Sequence, residues 1–194
     1  MRHSACQRCF MCLACILWRP VSYLTLLGLL AGCASFYKVP ENSPQAILKT
    51  SVDFGDTYVG IVRVHAFDND KCARSSHGSR LAYFSKLGER TRKFGADTEL
   101  DSSPGPAVRV PIIAGRELVF TVAFELGTPG ITTYFTCRIT RAFSPEPGRT
   151  YHAAYSLGSR KCLLALTEVS NSGEEVVVER VRQVQPTCFA TMDG

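Results

Sequence analysis

The sequence predicts an all-β fold: an antiparallel β-sandwich of about eight strands, immunoglobulin-like or transthyretin-like in outline. Three observations predict it. Apolar residues recur at every second position through most of the chain, and clusters of Gly, Pro, Asn and Ser punctuate the runs. No apolar pattern of helical period extends beyond about ten residues.

The strongest strand signal is Leu118, Phe120, Val122, Phe124 and Leu126, a wholly apolar face that alternates with Glu117, Val119, Thr121, Ala123 and Glu125. Ile131, Phe135, Cys137 and Ile139 repeat the pattern, and the alternation aims Cys137 inward. Further strands are predicted at Tyr58–Phe67, Arg80–Phe84, Ala107–Ile113, Thr150–Leu157, Lys161–Ser170 and Glu174–Val184. Ala114-Gly115, Gly127 to Gly130, Ser144 to Gly148, Gly158-Ser159 and Asn171 to Gly173 are the turns between them. Pro111 removes a ladder donor from its run, which places that strand at a sheet edge or a bulge. Tyr151 follows Pro145-Glu146-Pro147-Gly148 and is positioned to pin its strand entry as a tyrosine corner does.

Two segments lack this pattern. Residues 33–50 read as a flexible tether through Pro40 and Pro44, with at most one short helical turn over Pro44–Lys49. Ser85–Pro106 reads as a long loop, basic at first and then acidic. The expected organisation is a leader over 1–32, the tether over 33–50 and the sandwich over 51–194.

The leader carries three arginines and no acidic residue, followed by an apolar stretch from Val21 to Ala31. That stretch is too short to span a bilayer, which needs about 20 residues. It closes on Leu30-Ala31-Gly32-Cys33, which resembles the lipobox of bacterial lipoproteins. The resemblance implies cleavage between Gly32 and Cys33, lipidation of Cys33 and anchorage in a membrane. Ala34 in place of aspartate resembles sorting to the outer membrane of proteobacteria, facing the periplasm. Phe143, Pro145, Glu146, Gly148 and Tyr151, leading on to Cys162, resemble small proteobacterial envelope lipoproteins of unassigned function.

Cleavage before Cys33 leaves 162 of the 194 residues and lowers the formal charge from +5 to +2. The basic balance therefore belongs partly to the leader, and nothing points to nucleic acid. The run Cys6, Cys9, Cys12, Cys15 is removed with it, so its iron–sulfur-like spacing carries no weight. With Cys33 lipidated, Cys72, Cys137, Cys162 and Cys188 remain as disulfide candidates in an oxidising compartment. Their order along the chain favours Cys72–Cys137 with Cys162–Cys188, and no pair has zinc-ligand spacing.

No catalytic residue, metal site or cofactor is identified in the sequence, since nucleophile elbow, zinc-protease, phosphate-loop and dinucleotide motifs are all missing. His65 shares a strand face with Arg63, and His152 lies opposite Tyr151 and Tyr155. Asp68-Asn69-Asp70 reads as a polar turn rather than a calcium loop. The expected function is a non-enzymatic binding or accessory module of the cell envelope, held to the membrane by its lipid and engaging a protein or glycan partner. Two alternatives differ in kind. One is a periplasmic hydrolase or small-ligand-binding protein with a loop-built site around His77, Asp68 and Asp70; the other is an accessory lipoprotein of a secretion system.

Overall fold

Two β-sheets face each other across an apolar core in the computed structural model, which describes residues 36–55, 59–73, 79–88, 90–95, 107–126, 136–158, 161–185 and 188. All of these lie in one compact unit, Ala34–Ala190. Eleven strands are described: β1 (Gln45–Asp53), β2 (Gly60–Phe67), β3 (Arg80–Leu87), β4 (Arg90–Gly95), β5 (Ala107–Ile113), β6 (Leu118–Glu125), β7 (Thr136–Phe143), β8 (Thr150–Leu157), β9 (Cys162–Val169), β10 (Glu175–Val177) and β11 (Arg182–Gln183). A five-stranded sheet runs β10-β9-β8-β1-β5, and a six-stranded sheet runs β11-β7-β6-β2-β3-β4. The sandwich is as predicted, but with eleven strands rather than about eight.

Period two is what fills the space between the sheets. Leu118, Phe120, Val122 and Phe124 of β6 meet Leu48 and Val52 of β1, Ile112 of β5 and Tyr155 of β8 in one buried cluster. Phe143 links the layers through edge-on contacts with Phe120, at 6.0 Å, and Tyr151, at 5.0 Å. Tyr155 crosses the core and donates its hydroxyl to the carbonyl of Cys137 at 3.2 Å. Tyr151 accepts from the amide of Glu146 at 2.9 Å, the corner its position predicted. β5 with Pro111 is an edge strand, also as predicted.

Three expectations are corrected. The tether over 33–50 is not free chain from Phe36 onward: Tyr37 is buried, its amide donates to Arg80 O, and Gln45–Thr50 begin β1. β1 pairs β5 antiparallel and β8 parallel, so it is interior to its sheet. Ala46, Leu48, Thr50 and Val52 supply its buried face; Thr50 in that series masks the apolar alternation. The first part of the loop over Ser85–Pro106 gives way to a hairpin, as β3 continues to Leu87 and β4 follows to Gly95, while 96–106 lie outside the described residues. β4 is an edge bearing Arg92 and Lys93, and charge at an edge opposes pairing with another chain. Finally, Glu174–Val184 is two strands in different sheets, not one. Glu179 and Arg180 form a turn between them, while Val178 and Val181 pack against the core.

The disulfide pairing is also corrected. Cys137–Cys162 joins β7 to β9 across the sandwich with Cα atoms 6.2 Å apart, and Cys72–Cys188 ties the β2–β3 connection to the C-terminal segment at 5.1 Å. The reason is that the chain beyond β11 returns over the outer face of the six-stranded sheet. There Cys188 and Val184 bury Phe67, Val119 and Ala142 in a second small cluster. The Cys188 amide donates to Thr140 Oγ1 at 3.0 Å, and Thr140 shares a 2.7 Å hydroxyl contact with Thr121. A strand face that alternation marks as solvated is therefore covered.

Candidate functional site

The outer face of the five-stranded sheet carries the polar residues that the fold brings together. On β1 the outward positions are Ile47, Lys49, Ser51 and Asp53, because Ala46, Leu48, Thr50 and Val52 point to the core. The parallel register between β1 and β8 sets Lys49 beside His152 and Ser51 beside Ala154. β9 then sets Thr167 beside His152, and β10 sets Glu175 beside Val169. Ser51, His152 and Glu175 consequently lie on a diagonal across the face.

That diagonal is continuously hydrogen-bonded. Ser51 Oγ lies 2.7 Å from His152 Nε2, and His152 Nδ1 lies 2.8 Å from Glu175 Oε1. Thr167 Oγ1 donates to Glu175 Oε2 at 2.9 Å, so both carboxylate oxygens are held. An ionised carboxylate only accepts, which places the imidazole proton on Nδ1. The neutral ring's Nε2 is then the acceptor and the Ser51 hydroxyl the donor. Hydrogen bonds from His152 and then Thr167 hold the Glu175 carboxyl below the usual carboxylate range. The His152 side chain is 13% exposed, sheltered yet reachable from solvent.

A cationic cavity of about 500 Å³ adjoins this row, lined among others by Lys49, Arg109, Arg149, Thr150 and Asn171. Arg149 is committed to Glu168 at 3.1 Å and Glu146 at 3.7 Å. Arg109 and Lys49 face each other across β5 and β1. Neither has an ion-pair partner among the described residues, and Arg109 Nε is buried without a hydrogen-bond acceptor. Two adjacent cations with unspent donors are an anion-binding arrangement.

The residues singled out from the sequence are scattered by comparison. Gly32, Cys33 and His77 lie outside the described residues. Asp68 and Asp70 are taken up by ion pairs, with Arg116 at 4.0 Å and Arg182 at 3.3 Å. Asn69 Oδ1 accepts from the amides of Lys71 and Ala73, so the segment is the polar turn its composition suggested. His65 is buried on the six-stranded sheet beside Arg63 and Arg80, with Nδ1 unpartnered. Burial foremost, then the two arginines, lowers its pKa to about 4.

His152 lies on the face opposite Tyr151 and Tyr155, as alternation predicts, but alternation does not point to its two partners. Ser51 lies 101 residues away, just past the expected tether in a strand the alternation does not predict, and Glu175 lies 23 residues on, beyond β9. The legible signal was the shared parity of Lys49 and Ser51 against Leu48 and Val52. Comparison with protein-family models, curated proteins and solved structures finds no match to this chain.

Proposed function

We propose that this chain is an exported lipoprotein of the bacterial envelope, anchored in the outer membrane through Cys33 and facing the periplasm, whose sandwich binds an anionic group of an envelope partner. The observation that carries the binding reading is the pair Lys49 and Arg109, side by side at the cavity with no ion-pair partner among the described residues. The lipobox and the two disulfides support the placement, since disulfides persist in oxidising compartments. Phosphate and carboxylate groups on glycans or peptides share the required chemistry.

Titration at low salt with inorganic phosphate and with glucuronate separates the two sources. At least one is expected to bind, with affinity falling tenfold or more in the Lys49→Ala/Arg109→Ala double variant, consistent with about 1.5–3 kcal/mol for a charge-assisted contact. No binding of either probe, or equal binding by the double variant, would overturn the reading. Anchorage is tested by Cys33→Ser, which is expected to accumulate as unprocessed precursor. A membrane-bound product of normal mature size would sink it.

A further inference from the structure

The outer-face diagonal has the connectivity of a nucleophilic triad, and we propose that Ser51, His152 and Glu175 make this chain a serine hydrolase acting on carboxylic esters. Acyl transfer by serine needs three things in fixed order: a hydroxyl, a base within hydrogen-bond reach, and an acceptor that holds the base in the correct tautomer. All three are present at 2.7 and 2.8 Å, with the serine on Nε2 and the carboxylate on Nδ1. Thr167 fixes the free carboxylate oxygen at 2.9 Å, so the orienting group is itself oriented. All four side chains stand on β-strands rather than loops, which holds such geometry more tightly.

The steps balance on these residues. Ser51 Oγ attacks the ester carbonyl carbon while His152 Nε2 takes the hydroxyl proton, leaving an imidazolium paired with Glu175. Collapse of the tetrahedral intermediate expels the alkoxide, which receives that proton from His152 and departs as the alcohol. Water then attacks the acyl-serine with His152 again as base, releasing the carboxylic acid and restoring the Ser51 hydroxyl.

The oxyanion needs a donor, and the main chain of β1 up to Ser51 is not free to supply one. The strand is hydrogen-bonded to β5 as far as Ser51 and to β8 as far as Asp53, which commits its amides up to Ser51 to the ladders. A side chain on the same face can serve instead. Lys49 stands two residues before Ser51 on the same face, beside His152, and has no ion-pair partner among the described residues. Its ammonium is the group placed to meet the developing negative charge.

This inference goes beyond ligand binding and does not depend on it, because the probes are neutral. Wild-type protein is treated with an alkyl fluorophosphonate, in which the Ser51 oxygen would displace fluoride from phosphorus, and the modified peptide is mapped. Hydrolysis of p-nitrophenyl acetate is followed in parallel. The expected result is a single adduct on Ser51 and ester turnover that falls 100-fold or more in Ser51→Ala and in His152→Ala, within the range for loss of nucleophile or base. Ser156→Ala, on the same sheet face, is expected to retain turnover. Glu175→Gln is expected to lower kcat with little change in KM, and Glu175→Asp to restore part of it, as befits a positioning residue. Absence of an adduct on Ser51, an adduct on another serine, or equal turnover by Ser51→Ala would each overturn the proposal. The mapping uses the unsubstituted chain, so a variant that fails to fold does not remove the test.

Discussion

Replacing Cys72 and Cys188 together by alanine is expected to destabilise the domain by about 5 kcal/mol, against about 3.5 kcal/mol for Cys137 and Cys162. The ordering follows from loop length. The first bridge closes a separation of 116 residues and the second only 25, and the unfolded chain regains more freedom when the longer loop is released. Burial adds to the difference. Cys188 is fully buried, and the segment it tethers covers Phe67, Val119 and Ala142, so losing the bridge loosens an apolar cover as well as a crosslink. One term acts the other way. Cys72 holds a positive φ of 63°, a conformation that costs an L-residue roughly 1–2 kcal/mol, and release from the bridge relieves it. Urea unfolding of the two double variants beside oxidised wild type checks the prediction. A smaller loss for the Cys72–Cys188 pair than for the other would contradict it.

Acid is expected to weaken the fold well above the pH at which carboxylates protonate. The unfolded imidazole of His65 takes up its proton near the ordinary pKa of 6.5, whereas in the fold it does so only at about 4. Between those values the unfolded state binds more protons, so stability is complete above about pH 6.5 and declines as pH falls. The expected loss is about 2 kcal/mol by pH 5 and roughly 3 kcal/mol by pH 4. Against a typical total of about 5–15 kcal/mol, that is a large share. Desolvation is the main cause; Arg80 and Arg63 add repulsion, and Glu125, paired with Arg63 at 2.7 Å, opposes them. An imidazolium there has no acceptor waiting at Nδ1. Measuring urea midpoints from pH 7 to pH 5 isolates this group from the carboxylates. His65→Met is expected to flatten the slope, and an unchanged slope in that variant would rule His65 out.

Much of the fold was legible because alternation is a local property. Ala107–Ile113 and Thr150–Leu157 coincide with β5 and β8 residue for residue, since each has a clean inward and outward set and a turn at either end. The edge position of Pro111 and the corner role of Tyr151 are legible for a related reason. A missing donor and a hydroxyl five residues from the amide that donates to it act over short range. Where a strand had a polar residue on its inner face, as Thr50 does in β1, the same reading failed. The three valines Val176 to Val178 likewise hid the switch of sheet between β10 and β11.

The sequence by itself determined the class of fold, most strand positions and the presence of paired cysteines, because these follow from the pleat and from composition. Partnership was decided only in three dimensions. Which cysteine meets which, and which serine and glutamate reach His152, depend on sheet order, on the parallel register of β1 with β8, and on the return of the C-terminal segment over β6 and β7. Those are long-range pairings, selected by how whole faces bury against one another, and no window of neighbouring residues encodes them.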